Sequence, residues 1–556
     1  MSILQMKMIS SLEKCFWDED VDSKAEKNSF IMFKNERLSF QIVYRYNDNT
    51  TEIQRGATVK VEGALADYTK VRIVQNVANL YPTYVQKPTG EFLRTEPGLY
   101  PDLLRPQVYP DAVPMPYGQT HAMWVDIELP EDFQGGEYEI RFKFISNARG
   151  HKGEFLDDIC GTVRVLDAKL PKQTLIHTEW FYADCIADYY NCRIFSERHW
   201  RLIENYIKTA VKNGINMILT PVFTPELDTY VGGERPTTQL VDIELTDDGK
   251  YSFAFEKLHR WIDMCLKCGV EYFEIPHFFS QWGAKATPKI IIKVNGRKKK
   301  YFGWHTDSMG EDYADFLSQF IPALVAEFKG RGLDGKCYFH VSDEPSLANM
   351  DKYTSCKERI AKYLEGYPII DALSNFEFYS TGVLENPVPG TRHAMPFVKA
   401  NVPDLWVYYC GGGLGGVSDR SMSMPSQRTR ILGVQLYYYN IKGFLHWGYN
   451  FYNCCKSYSK LDPYCDTAGH YFMPAGDAFL VYPGNDGQPW ESLRLNAMRE
   501  AMDDIRALQL YEEKFGREAA ERLITEDMDG ELTFTEYPTD KNYLINLREK
   551  IARSFI

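Results

Sequence analysis

The chain has 556 residues, more than one hydrophobic core usually holds, so two or more domains are expected. Its 63 lysines and arginines against 76 aspartates and glutamates leave a formal charge of −13, which argues against nucleic acid as a partner. No run of about 20 apolar residues is present, so no membrane-spanning helix is expected, and the 12 scattered cysteines lack the density of a disulfide scaffold.

The opening segment carries only a short, interrupted apolar stretch, without the longer apolar core of a signal peptide. A cytoplasmic location with reduced thiols is the expectation. Residues 1–170 then read as strands. Segments 30–33, 38–44, 58–62, 122–129, 138–144 and 161–166 alternate in the β manner, and Gly135-Gly136 punctuates two of them. Many short strands with few helical periods predict an N-terminal β-sandwich domain, with a boundary at Leu170-Pro171.

Beyond that boundary, short apolar runs alternate with helical stretches. Strands are predicted near 175–181, 217–222, 272–278, 337–341, 368–373, 405–409, 443–447 and 479–482. Helical spacing covers 200–212, 258–267, 313–328, 353–364 and 496–510, and more weakly 429–439. Eight strands with intervening helices predict a (β/α)8 TIM-type barrel over residues 171–514, an α/β unit beside the all-β one; a doubly wound open sheet is the alternative. Residues 240–255 and 290–302 read as extra hairpins. The second holds the only dense basic run, Arg297 to Lys300, after the turn pair Asn295-Gly296. Residues 515–556 form a charged helical extension.

A barrel places its active site at the carboxyl ends of its strands. The fourth run, Cys337-Tyr-Phe-His-Val-Ser-Asp-Glu-Pro, closes on Asp343 and Glu344, followed by Pro345. Two adjacent carboxylates cannot both ionise freely, so one keeps a proton that it can give to a leaving oxygen while the other holds developing positive charge. The competing structural reading is an N-cap for a helix starting near Ser346. Aromatic and hydrogen-bonding residues end other runs: Glu179, Trp180 and Tyr182; His277, Phe278 and Phe279; Tyr408 and Tyr409; His446, Trp447, Tyr449 and Asn450. Flat aromatic walls with a few polar groups suit sugar rings, although any one of these side chains can equally be core filling.

His340-Val-Ser-Asp-Glu-Pro resembles the catalytic strand end of glycoside hydrolase family 123. Pro97-Gly-Leu-Tyr-Pro-Asp-Leu-Leu-Arg-Pro, Gln119-Thr-His-Ala-Met-Trp-Val-Asp-Ile-Glu-Leu-Pro and Ser492-Leu-Arg-Leu-Asn-Ala-Met-Arg-Glu-Ala-Met-Asp-Asp are similar to other segments of that family, so the likeness spans nearly the whole chain. The resemblance implies a retaining exo-glycosidase acting on β-linked N-acetylhexosaminides, N-acetyl-β-D-galactosaminides first. The substrate's 2-acetamido oxygen would serve as nucleophile, without any cofactor or metal. By that carry-over Asp343 orients the acetamido N–H and Glu344 is the acid and then the base. Trp180, His277, Asn375, Tyr379, Tyr409, Trp447 and Tyr449 are expected to bind substrate, with Tyr379 or Tyr409 on the acetamido oxygen and Trp447 under the sugar.

The expected partner is an oligosaccharide or glycoconjugate, small and imported if the protein is cytoplasmic; a homo-oligomer is compatible with the sequence. Two other readings are a glycosidase using a separate carboxylate such as Glu179 or Glu377, and a non-catalytic glycan-binding barrel. Two weaker signals are set aside. Gly411, Gly413 and Gly416 satisfy a GxGxxG spacing but read as a flexible loop over the pocket. Cys265-Leu-Lys-Cys268 lacks two further zinc ligands.

Overall fold

Strand pairing over the first third of the chain gives two five-stranded sheets in the computed structural model, which describes residues 3–48, 56–84, 91–107, 112–148, 150–225, 227–411 and 416–556. One sheet orders Leu4–Ser10, Arg37–Tyr46, Thr120–Glu128, Thr69–Asn79 and Gly98–Pro106. The other orders Ser29–Lys34, Phe155–Lys169, Gly136–Ser146, Gly56–Glu62 and Ala112–Pro114. Alternate residues face a common core, with Phe40, Ile42, Met123 and Val125 from the first sheet against Met32, Ile140, Phe142 and Val163 from the second.

The first sheet departs from simple inside–outside alternation because its second face is also buried. Val43, Val74, Leu104 and Trp124 pack there with Leu493, at the start of the long helix Leu493–Phe515. Charged side chains complete this seam. Arg494 pairs with Asp102 at 2.9 Å, and Arg72 bridges Asp126 at 2.5 Å and Glu491 at 2.7 Å, with both arginines buried. The three family-like segments outside the acid pair thus meet at one interface, each charge matched to its opposite, as burial requires.

The rest of the chain is mixed α/β. Its parallel strands are β1 Ile176–Glu179, β2 Met217–Leu219, β3 Tyr272–Ile275, β4 Cys337–Phe339, β5 Ile370–Leu373, β6 Asn386–Pro389, β7 Trp406–Tyr408 and β8 Gly443–His446. Six of them form one sheet in the order β4, β3, β2, β1, β8, β7, while β5 pairs with β6. Single parallel bridges, Phe339 to Ile369 and Gly390 to Tyr408, tie that pair to β4 and β7. Helices predicted from spacing occur as Glu197–Lys212, Glu256–Cys268, Glu311–Gly330 and Met350–Ala361, and the weaker 429–439 signal as Ser426–Arg430 and Leu432–Tyr438. Gly443 is required by packing: a Cβ there would lie 2.0 Å from the Trp406 indole.

One strand differs from expectation. The run near 479–482 forms Val481–Pro483, which pairs antiparallel with Pro489–Glu491 outside this parallel set. Its place is taken by β6, Asn-Pro-Val-Pro, whose two prolines lack the N–H that a strand signal normally presumes. Both extra hairpins form, as Asp242–Leu245 with Tyr251–Ala254 and Ile290–Val294 with Arg297–Phe302, and join into one four-stranded sheet. The basic run turns at Asn295 and Gly296, both at positive φ. Cys265 and Cys268 sit in the helix Glu256–Cys268, and all twelve cysteines are free. Gly413 of the glycine-rich loop lies outside the described residues.

Of the C-terminal helices Arg517–Thr525 and Lys541–Arg553, the second touches both halves. Leu544, Leu547 and Ile551 are buried beside Leu493–Phe515, while Arg548 reaches Glu36 at 2.6 Å and Glu549 pairs with Lys27. No helix among the described residues is long and apolar enough to cross a membrane.

Candidate active site

The backbone beyond β4 keeps running beside the loop that follows β3. Phe278 N donates to His340 O, Phe279 N to Val341 O, and Trp282 N to Asp343 O at 2.9 Å. The pairing carries Asp343 to the carboxyl-end mouth. Glu344 then takes a left-handed conformation, φ 44°, directly before Pro345. Such backbone is costly for a non-glycine residue, and the following proline adds a further restriction. The turn swings the Glu344 side chain across the mouth, where its Oε1 accepts a 2.7 Å hydrogen bond from the Tyr408 hydroxyl on β7. The N-cap reading does not describe this pair: the cap of Leu347–Asn349 is made by Ser346 and Asn349.

The two acids sit in different surroundings. Asp343 is half-buried and Glu344 exposed at an open mouth. Burial first, then the charges of Glu344, Asp228 and Asp371, push the Asp343 carboxyl well above the carboxylate range, with His340 pulling the other way. Asp228, in the loop after β2, is raised to about 7 by burial; Arg235 opposes the rise, while Glu344 and Asp477 add to it. Three acids therefore share one electrostatic site. Hollows of about 930 and 890 Å³ elsewhere on the surface contain neither member of the pair.

Beneath the mouth lies a buried polar chain. Glu274 accepts from Thr178, from Trp180 Nε1 at 2.7 Å and from His340 Nε2 at 2.8 Å. His340 Nδ1 faces Asp371 Oδ1 at 3.1 Å, and the Tyr353 hydroxyl donates to Asp371 Oδ2 at 2.6 Å. Burial works against charge on His340, but its bonds to Asp371 and Glu274 prevail and raise it to about 10. Each ring nitrogen thus faces a carboxylate oxygen. His277, His340 and Asp371 have ligand atoms close enough to one another to hold a metal ion, with both ring nitrogens of His340 engaged by Glu274 and Asp371.

The expected substrate-binding residues divide. Trp180 and His277 lie in this buried layer, their rings 5.5 Å apart. Trp447 is nearly buried and donates to Asp477 Oδ2 at 3.0 Å. Asn375 is half-buried just past β5. Tyr379 packs toward Phe376 and Phe397, on the short helices after β5 and β6. Two placements correct the sequence reading. Tyr409 turns outward and gives its hydroxyl to Met498 Sδ at 3.3 Å, because neighbours on a strand alternate faces and Tyr408 takes the inner one. Tyr449 is fully buried against Phe181 and donates to Tyr206 O at 3.0 Å, so it is core.

Of the alternative carboxylates, Glu179 is sealed in the interior, paired with Arg420 Nη1 at 2.6 Å and His177 Nε2 at 3.2 Å, while Glu377 is exposed on the helix after β5. Sequence reasoning noted Tyr408 as a strand-end aromatic without choosing it for the site, and passed over Asp228 and Trp282. Only Tyr408 had a signal, its position one residue before Tyr409 at a strand end. Replacing Tyr408 with phenylalanine is expected to lower kcat/KM about 10- to 100-fold, the worth of one hydrogen bond to a charged group, with the melting temperature nearly retained.

An acid pair at the carboxyl-end mouth of parallel strands, above a polar layer, is suited to acid–base catalysis such as glycoside hydrolysis. Residues 180–511 match the family model described as "Glycoside hydrolase 123, catalytic domain". That is more than half of the chain, and the chain belongs to glycoside hydrolase family 123. A family 123 glycoside hydrolase from Clostridium perfringens, solved to study glycolipid glycan hydrolysis, shares the fold. It is 14% identical, the alignment covers 100% of this chain and 98% of that one, and the TM-score is 0.74. A putative beta-galactosidase from Bacteroides fragilis is 10% identical over 83% of this chain and 58% of its own, with a TM-score of 0.31, too low to bear on the fold. No curated protein sequence matches the chain.

Proposed function

We propose that this glycoside hydrolase is a retaining, exo-acting β-N-acetylhexosaminidase, built on a (β/α)8 barrel carrying an N-terminal β-sandwich, with N-acetyl-β-D-galactosaminides as its substrates. The observation that carries the reading is the adjacency of Asp343 and Glu344 at the mouth, with the former half-buried and the latter exposed and held by Tyr408. Two neighbouring acids are too close to flank a glycosidic bond from opposite faces, as a two-carboxylate mechanism requires. They suit a reaction in which the substrate's own acetamido oxygen attacks the anomeric carbon. Asp343 accepts the acetamido N–H, and that new hydrogen bond favours its ionised form. Glu344 gives a proton to the departing oxygen and then takes one from the water that opens the oxazoline. Trp180, His277 and Trp447 shape the floor and wall of the sugar site.

Asp228 favours a second reading, in which it supplies the distant carboxylate of a conventional pair, since the charge of Glu344 helps to raise its carboxyl. A thiazoline mimic of the N-acetylgalactosamine oxazoline separates the two. Competitive inhibition at least 100-fold tighter than by N-acetylgalactosamine is expected, on the general scale by which analogues of reaction intermediates outbind substrates. Inhibition no better than by the free sugar would remove the acetamido mechanism and leave Asp228 as the candidate base or nucleophile.

A further inference from the structure

Three loops at the carboxyl-end mouth are laced together by hydrogen bonds. Asp228 N donates to Gln281 Oε1 at 2.8 Å, and Gln281 Nε2 donates to Thr229 O at 3.0 Å. Tyr230 N donates to Lys456 O at 3.0 Å, and Ser457 Oγ donates to Asp228 O at 2.8 Å. These residues follow β2, β3 and β8, and the middle loop is joined to the acid pair by the Trp282 N to Asp343 O bond. Asp228, Trp282, Lys456 and Ser457 all hold positive φ between 53° and 57°, as Glu344 does at 44°. So many costly backbone positions in one place signal a rim built to a set shape.

That rim displays aromatic surface to solvent. Trp282 is 44% exposed, Tyr230 38% and Tyr458 66%. Tyr230 and Tyr458 stack with centroids 4.5 Å apart at 10°, and the Lys456 ammonium lies 5.5 Å from the Trp282 ring. Large exposed aromatics grouped beside a catalytic mouth, rather than scattered singly, mark a binding surface.

We propose that Trp282, Tyr230 and Tyr458 form a stacking subsite for the saccharide ring on the leaving-group side of the scissile bond. The inference rests on the hexosaminidase reading above and extends it. An exo-acting site holds the terminal sugar against Asp343, so the remaining glycan leaves past Glu344, over the loop bearing Asp228 and the aromatic rim beside it. The C–H face of a pyranose packs on a flat ring, and its hydroxyl edge meets the polar groups of Asp228 and Lys456. Three acids already crowd this mouth, which favours a neutral hexose or N-acetylhexosamine over an acidic sugar.

The test uses the full chain carrying Glu344→Gln, so that ligands are bound without turnover. Calorimetry compares N-acetylgalactosamine with a disaccharide bearing it in β-linkage at the non-reducing end. The disaccharide should bind more tightly, and adding Trp282→Ala or Tyr458→Ala should cut the disaccharide-to-monosaccharide affinity ratio about 10-fold, the size of one lost stacking contact. Tyr458, the more exposed, carries the test if Trp282→Ala fails to fold. An unaltered ratio in a folded variant overturns the subsite while leaving the substrate reading intact. Failure of the parent protein to bind either sugar overturns both.

Discussion

Glu344→Gln is expected to lower kcat/KM for 4-nitrophenyl N-acetyl-β-D-galactosaminide by about 10²- to 10⁴-fold, the usual contribution of a positioned acid–base group. Glutamine keeps the shape and the contact with Tyr408 but has no proton to give. The loss should therefore depend on the leaving group. A fluoride or dinitrophenyl glycoside departs with little help, so its first step should be nearly restored, and on the proposed mechanism slow opening of the oxazoline should then limit turnover. Added azide should relieve that second step and yield the β-configured azide, since an anion needs no general base. Steady-state rates over a leaving-group series, with product stereochemistry read by NMR, check both points. Equal turnover by the two proteins would remove Glu344 from the chemistry. Asp343→Asn should behave differently, with a loss that leaving-group ability does not mend, because its proposed partner is the acetamido group.

The second large effect is on stability. Arg420 has no exposed surface and donates to Glu179 Oε2 at 2.6 Å, to Gly448 O at 2.6 Å and to Asp477 O at 2.9 Å, with His446 also in contact. Arg420→Ala leaves Glu179 buried without its counter-ion, and truncating one partner of such a pair costs about 3–5 kcal/mol. Urea unfolding at neutral pH should show that loss, and a difference below 1 kcal/mol would mean that water or a repacked side chain replaces the guanidinium. The effect has a pH signature. Burial alone would raise the Glu179 carboxyl, but Arg420 first, and then the hydrogen bond from His177, hold it down at about 2 against an ordinary 4.5. A carboxyl depressed on folding contributes its full stability above the unfolded value. The gap between wild type and variant should therefore be widest above pH 4.5 and shrink as the pH falls toward 2.

Glu179 shows where sequence reading stops. Its place at the end of a strand marked it as a possible catalytic carboxylate, and its neighbour Trp180 as a sugar contact. The strand indeed ends at Glu179, yet the two side chains leave it on opposite faces. Trp180 joins Glu274 in the inner polar layer, while Glu179 meets Arg420, a residue 241 positions away. No local pattern announces a partner at that separation. Tyr408 and Tyr409 repeat the lesson, since exchanging their faces takes a shift of one residue and the sequence carries both as equals.

The acid pair could be proposed because it is local: an apolar run, two carboxylates and a proline, which the structure places together at the carboxyl end of β4. Short strands alternating with helices, the two extra hairpins and the helical C-terminal stretch could also be read directly, since backbone periodicity is a property of neighbours. The family-like segments around Asp102, Asp126 and Arg494 stood out as words without meaning until folding brought them to one seam. The sequence by itself thus determined the order and type of most elements and singled out Asp343 and Glu344 as the acids proposed to react. Only tertiary structure decided that Asn386–Pro389 and not Val481–Pro483 joins the parallel strands, which tyrosine meets Glu344, and how each buried charge is neutralised. The reason is physical: pairing register and charge partnership are settled between residues far apart in the chain, where geometry, and not sequence spacing, sets the distance.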